Sequence, residues 1–574
     1  MGQAAHGAQA VEYEIAPSRK AGRLRASLAG GAIHARLNGD DAHGAAVRKA
    51  WDYVIIGGGS AGATLAARLS ENPERRVLLL EAGGRDRSLR IHVPGCLESL
   101  LGSRSLNWSY LGEPDPSLDG RQLTWAAGRV LGGSSSINGM VYGRGLPADY
   151  DRWVAAGNEG WGWSDMLPYF RRIEHWTGPP HPARGRDGPM QVRRFEETDA
   201  ACAATLQALV ALGVPAVEDY SVGIVEGVGL TQATQKTRWR HSVASAYLGP
   251  ARGRPNLTIL THARALRLIM DGQHCRGVRV LHRRQVIDLY AERETIVSAG
   301  AIGSPKLLML SGIGPADEIR AHDIDVVHDL PGVGRNLNDH VNIKLSAFVD
   351  HKTYNTRRSG VAAVVEGLRF LALGSGAATS PANHGQAFVR TDPQSAAADV
   401  QLQVMPFGFG DEAQMRRNGL TVVVSPCHPE VRGRIQLRSS DPTAAPRISI
   451  AMLDSARDQA RLLRGCKLAH AALRDGPGRT MSGQIYAPEQ TTPSDAEWLT
   501  FFRQTAALNW HPTSSCRMGP GPEDVVDTGL RIRGLTGVSV VDASVMPCVT
   551  SANTNIPVIA IAERAAEMIS ARTP

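Results

Sequence analysis

Tyr53-Val54-Ile55-Ile56-Gly57-Gly58-Gly59-Ser60-Ala61-Gly62 joins a short apolar run to a glycine-rich turn, and its reading decides the fold. A run of four apolar residues closed by glycine predicts a buried parallel strand. Ala63 to Leu69 then reads as a helix with small residues near its start, and Val77 to Leu80 as a second strand ending on Glu81. The glycines serve different ends. Gly57 makes the turn, Gly59 lets backbone N–H groups reach a pyrophosphate, and Gly62 lets helix and strand pack closely. The helix N-terminus, preceded by Ser60 and Ala61 in the turn, offers partial positive charge to phosphates. Glu81 stands 19 residues past Gly62, where an acid accepts hydrogen bonds from ribose hydroxyls. Strand, turn, helix, strand and acid in that order are the context that makes this motif specific. An acid rather than an arginine after the second strand favours FAD or NAD over a 2′-phosphorylated dinucleotide.

The rest of the chain narrows the class. With 574 residues it is too long for one ordinary core, so at least two domains are expected. The formal charge of +8 is thinly spread and contains no run of five basic residues, so nucleic-acid binding is not expected. Seven cysteines lie far apart without a Cys-x-x-Cys, which argues against a disulfide framework or a metal site and fits a reducing, cytoplasmic setting, free or peripheral to a membrane. No stretch reaches the length of a membrane span, and the first fifty residues lack the apolar core of a signal peptide. Residues 1–50, rich in Ala and Gly, are expected to form a flexible extension.

Three further segments carry a family resemblance. The first is Ala127-Gly128-Arg129-Val130-Leu131-Gly132-Gly133-Ser134-Ser135-Ser136-Ile137-Asn138-Gly139-Met140-Val141-Tyr142. The second runs from Gly300-Ala301-Ile302-Gly303-Ser304-Pro305 to Ser311-Gly312-Ile313-Gly314. The third includes Asn509-Trp510-His511-Pro512, Cys516-Arg517-Met518-Gly519, Val541-Asp542-Ala543-Ser544 and Asn553-Thr554-Asn555-Ile556-Pro557. With the N-terminal turn these resemble the glucose–methanol–choline (GMC) oxidoreductase family from about Trp51 to the C-terminus, its bacterial choline-dehydrogenase-like and alcohol-dehydrogenase-like members most.

The resemblance implies an α/β flavoenzyme: a Rossmann-type FAD domain from residues 51–150, 240–345 and 515–574, and a substrate domain from 151–239 and 346–514. The substrate domain would be an antiparallel sheet flanked by helices, and the alternation in Gly419 to Val424 and Arg434 to Leu437 is compatible with it. Val130, Gly133, Asn138, Gly139, Met140 and Val141 would line the flavin, the strand around Ala265 would meet adenine, and Trp510, Asp542, Ala543, Ile556 and Pro557 would close on the cofactor. Ile137 occupies the position where some relatives carry a histidine bonded to the flavin, so the FAD is expected to be non-covalent. The second segment, with its helix Pro305 to Leu310, reads as packing for the nucleotide domain.

Flavin-dependent alcohol oxidation needs a group that accepts the hydroxyl proton while the carbon gives up hydride, and histidine is suited to this. His511 is the candidate base, between Trp510 and Pro512 and 44 residues before Asn555, a spacing similar to the family's pair of His followed by His or Asn. On that reading Asn555 orients the alkoxide. His340, in Asn338-Asp339-His340, reads as structural. Pro557 is expected at the first position of a helix over Val558 to Ile569, whose N-terminal dipole would favour anionic reduced flavin. The expected reaction is oxidation of an alcohol to the carbonyl, with oxygen or a quinone- or dye-like carrier as acceptor. A hydroxynitrile-lyase-like or decarboxylase-like member of the same fold is the alternative. Phe348, Phe407, Phe409, Phe501 and Phe502 are read as core, and no cage for a quaternary ammonium is discernible.

Overall fold

The computed structural model describes residues 51–357, 360–475 and 482–572; the extension expected over residues 1–50 lies outside them. Strand β1 (Trp51–Ile56) is buried along its whole length, as an apolar run without alternation requires. It pairs in parallel with β2 (Val77–Glu81) on one side and with Gln285–Val297 on the other. Leu257–Thr261 extends the parallel set beyond β2, and Val538–Val540 pairs alongside Val297. Gln285–Val297 spans 13 residues, so its first half continues into an antiparallel arm with His274–His282 and Ala263–Asp271.

Helix α1 (Ser60–Leu69) starts earlier than expected, directly after Gly59. A Cβ on Gly62 would stand 1.9 Å from the Gly57 carbonyl oxygen, so the first turn of α1 rests on the end of β1 with no room for a side chain. Helix α2 (Gly300–Leu310) also starts earlier and carries Pro305 inside it. The proline has no N–H for the carbonyl of Ala301, and the Ser515 hydroxyl donates to that carbonyl instead.

A second sheet has the order Ser482–Ala487, Val341–Val349, Gly419–Pro426, Val400–Met405, Gly385–Val389, Gly227–Leu230, with all its neighbours antiparallel. The long helix Ala456–Asp475 lies on it, with Gly465 set against Val400 and Val424. Parallel Rossmann-like strands and a separate antiparallel sheet are the α/β architecture expected. Two details differ. Arg434–Gln436 pairs in a small ribbon with Arg447–Ser449 rather than in the sheet. Val341–Val349 pairs wholly within the second sheet, so a division at 345/346 falls inside a strand. Helix α3 (Gly360–Leu373) stands outside this sheet.

The last helix, α4 (Asn555–Arg572), is buried over most of its length and begins at Asn555, so Pro557 is its third residue rather than its first. The missing proline N–H falls among the first four, which need no intrahelical acceptor. α4 packs beside α1 in matched register. Ser60 Oγ donates to Asn555 Oδ1 at 2.7 Å. Eight residues further along each helix, Arg68 donates to both carboxylate oxygens of Glu563 at 2.9–3.0 Å, and the Tyr247 hydroxyl donates to the same group at 2.7 Å. The two helices are thus clamped at both ends of α1, which match the start and the middle of α4.

Gly62→Ala is expected to push α1 off β1, at a cost of about 1–3 kcal/mol for overpacking. Thermal melting together with flavin absorbance checks this: both melting temperature and bound flavin should fall.

Candidate active site

A cavity of about 640 Å³ opens at the carboxyl ends of β1 and β2 and runs to the face of the second sheet, the crevice where parallel α/β sheets bind ligands. At one end Ala263, Arg264 and Ala265 line it. Its middle is formed by Gly57, Gly59, Ser60, Ala61 and Glu81 together with Gly133 and the segment Asn138–Val141. At the far end stand Trp510, His511, Asp542, Ala543, Asn553 and Asn555. The segment expected only to pack also lines the cavity, through Ala299–Gly303 and Lys306. Asp542 explains why: its carboxylate accepts from Gly300 N at 2.8 Å and Ser304 Oγ at 2.5 Å, holding the start of α2 against the turn at Ala543.

Four expected cofactor residues do not line the cavity. Gly62 is used in packing on Gly57. Val130 is buried in a cluster with Ile91, Leu100 and Ile137. Ile556 and Pro557 are buried in the first turn of α4.

The residues present fit a flavin dinucleotide. A Cβ on Gly133 would lie 2.6 Å from the Gly59 Cα, so the two glycine loops meet backbone to backbone and leave a floor without side chains. Glu81 accepts from Gly58 N at 2.9 Å and Gly83 N at 2.7 Å, one bond on each oxygen. Each oxygen keeps a lone pair for a ribose hydroxyl. Burial raises its carboxyl to about 7 against the lowering pull of those two N–H groups. Ile137 lines the cavity and offers no nucleophile.

At the far end His511, Asn553 and Asn555 all line the cavity, and the structure brings His511 together with Asn553 rather than Asn555. Asn555 does not bond His511; its side chain is engaged by Ser60. The amide at His511 is Asn553, with Nδ2 3.1 Å from His511 Nε2. Both asparagines lie in one short segment, and sequence spacing could not separate residues two apart. His340 bridges the segments of His511 and Cys427: its Nδ1 is 2.9 Å from His511 Nδ1 and its Nε2 is 3.2 Å from the Cys427 carbonyl.

This chain of bonds fixes the tautomers. A carbonyl only accepts, so His340 Nε2 carries hydrogen and donates to Cys427. Burial lowers the His340 imidazole to about 4, so it is neutral and its Nδ1 is an acceptor. His511 Nδ1–H then donates to His340. The His511 imidazole is held well below its ordinary value, by burial first and the neighbouring His340 second. Its Nε2 therefore bears a lone pair, faced by the Asn553 N–H. Among the described residues, the buried Asn553 oxygen has no partner.

The backbone aims this group. Trp510 adopts a left-handed φ of 58°, a conformation that is costly for a bulky residue and points to a functional constraint. Its indole donates to the Thr124 carbonyl at 2.8 Å. Asp339 Oδ1 accepts from His511 N at 2.8 Å. Burial raises the Asp339 carboxyl to about 8, against the backbone N–H groups of His511 and His340.

A glycine-floored dinucleotide cradle leading to a buried imidazole is the site of an FAD-dependent oxidoreductase. The chain belongs to the GMC oxidoreductase family: the N-terminal family model matches residues 51–342 and the C-terminal one residues 429–562. It is 40% identical over 528 residues to an uncharacterized GMC-type oxidoreductase of Mycobacterium tuberculosis, covering 90% of this chain and 99% of that one. It is 37% identical to an alcohol dehydrogenase [acceptor] of Pseudomonas putida, covering 90% and 95%. Among solved structures, pyridoxine 4-oxidase from Mesorbium loti superposes with a TM-score of 0.82 at 32% identity, covering 90% and 98%. The protein is an FAD-binding flavoprotein acting on CH–OH donors.

With Ile137 where a covalent link would need a nucleophile, acid precipitation should leave all the flavin in the supernatant. Yellow colour retained in the washed pellet contradicts this.

Proposed function

We propose that the protein oxidises a primary alcohol to the aldehyde, with His511 taking the hydroxyl proton and Asn553 holding the oxygen. The observation that carries this reading is the Cys427–His340–His511–Asn553 chain, which leaves one imidazole nitrogen unprotonated beside one amide N–H in the same cavity. When bound, FAD supplies the hydride acceptor. The substrate hydroxyl donates to His511 Nε2, and as it loses its proton the oxygen accepts from Asn553 Nδ2. An amide cannot take the proton, so proton transfer rests on His511 alone. Asn555, tied to Ser60, instead holds the cofactor end of α4.

The cavity wall bears on the substrate. Asn342, Lys344, Gln403, Met405 and Val423 line it, and the register sets Lys344 beside Val423 and Val423 beside Gln403. Lys344 has its ammonium 4.4 Å from the Phe409 ring centroid. A cation on that wall opposes a quaternary ammonium, and the Phe409 face beside it is already taken by lysine. The reading is therefore an uncharged or acidic alcohol rather than choline.

Anaerobic stopped-flow reduction tests the division of labour. His511→Ala should keep its flavin while reduction slows by about 10²–10⁴, the usual worth of a general base. Asn553→Ala should slow reduction by less. Asn555→Ala should act mainly on flavin retention. Near wild-type reduction in flavin-replete His511→Ala would sink the assignment, and Asn555→Ala outweighing Asn553→Ala at full flavin occupancy would return the amide role to Asn555. A lyase or decarboxylase would show no bleaching of flavin by any alcohol in the dark.

The pH dependence follows from the same geometry. The active form of His511 is unprotonated, and its affinity for protons is depressed. Falling pH therefore leaves it competent through the ordinary histidine range. The acid limb of the reduction rate should lie clearly below pH 6.5; a limb at or above that value contradicts a buried base.

A further inference from the structure

Helix α3 presents its apolar side to solvent. Val361, Val364, Val365, Leu368, Leu371 and Leu373 are 80, 63, 47, 61, 59 and 72% exposed, whereas Glu366 and Phe370 are the buried residues. Val361, Val364, Val365, Leu368 and Leu371 follow the three- and four-residue spacing of one helical face, and Glu366 and Phe370 share the other. A surface helix normally has the reverse arrangement. Contiguous exposed apolar faces mark interaction sites.

The surroundings of the stripe are cationic. Glu366 is the one carboxylate on α3, and it is spent internally: it accepts from Ala377 N at 2.7 Å and lies 3.5 Å from Arg369 and 3.9 Å from Arg357. Phe370 packs against Trp239, and Arg238 lies over both rings. The supporting segments Gln235–Arg240, Tyr354–Arg357 and Ala377–Thr379 contribute Lys236, Arg238 and Arg357, besides the buried Arg240 that bonds Ile91 and Asn138, and no acid. At 14 residues α3 is about 21 Å long, too short to cross a bilayer, and no helix among the described residues is long and apolar enough to do so.

We infer that α3 lies in the headgroup interface of an anionic lipid bilayer, its valine and leucine stripe in the acyl boundary and Lys236, Arg238, Arg357 and Arg369 against lipid phosphates. Apolar burial and basic flanks are the two components of interfacial helix binding. The placement also sets the catalytic cavity at the membrane. Tyr354 and Ala377, next to α3, form one apolar cluster with Phe407, backed by Met405 and Phe409, and those last three residues line the cavity.

Vesicle flotation of the full-length holoenzyme tests this. Vesicles of phosphatidylglycerol and phosphatidylcholine should carry the protein upward, and pure phosphatidylcholine should carry less. Raised salt should shrink that difference. Val364→Gln/Leu368→Gln should weaken partitioning by about tenfold or more, since two inserted side chains are lost, with flavin content and turnover of a water-soluble alcohol unchanged. Val364→Glu/Leu368→Glu should abolish it. Failure of the wild-type protein to float with either vesicle overturns the inference, as does wild-type flotation of the glutamine variant. Light scattering that shows a wild-type dimer converted to monomer by the glutamine variant assigns the face to a second copy and also overturns it. Flotation that appears only after deletion of residues 1–48 overturns it too, because the extension then covers the stripe.

Discussion

The carbonyl oxygen of Gly57 occupies the place a side chain on Gly62 would need, 1.9 Å from where its Cβ would stand. That contact lets the first turn of α1 rest on the end of β1, and the site depends on it. A residue with a Cβ there would lift α1 away and carry Ser60 with it. Ser60 holds Asn555, and Asn555 is the first residue of α4. The close approach of Gly59 and Gly133 extends the same constraint to the second loop. Backbone packing, rather than any charged grip, shapes the cofactor cradle.

This explains which parts of the molecule were legible in the sequence. The strand–turn–helix of Tyr53 to Leu69 is a local object, and a glycine required by a close approach is visible as a glycine. His511 was legible through its neighbours Trp510 and Pro512 and the family motif around them. The choice between Asn553 and Asn555 was not. Both are amides in one loop, and what separates them is where α4 begins: Asn555 turns with the helix toward Ser60, while Asn553 stays in the loop that faces His511. His340 stands 171 residues from His511, and only the folded chain shows that the two rings meet. The antiparallel sheet and the division at 345/346 are expected from resemblance; Val341–Val349 is buried along most of its length, so no alternation marks where its strand runs across that division.

The electrostatic design of the reacting end is economy of charge. Asp339, His340 and His511 are all buried, and burial pushes each toward its neutral form. An ionised group there would be costly without a partner, so the imidazoles are arranged as neutral donor–acceptor links that end on the Cys427 carbonyl. A neutral, tautomerically fixed histidine is a weak base in the resting protein. On the proposed reading it becomes effective when the arriving hydroxyl places its proton on Nε2 beside a group that stabilises the oxygen left behind, the role proposed for the Asn553 N–H.

Coupling between cofactor and base then follows from covalent connection. Asn553 and Asn555 are separated by one residue, so the amide that faces His511 and the amide that anchors α4 to α1 move together. α4 is fixed at Asn555 by Ser60 and again at Glu563 by Arg68 and Tyr247. Its first turn therefore cannot shift relative to the cradle without breaking one of these bonds. His511 is fixed independently, through Asp339 on its backbone and His340 on its ring. The Asn553–His511 contact is thus held from both sides, and the same two segments are also joined where Val549 N donates to Asn338 Oδ1 at 3.2 Å; on the proposed reading an incoming hydroxyl replaces the Asn553–His511 bond and leaves these braces in place.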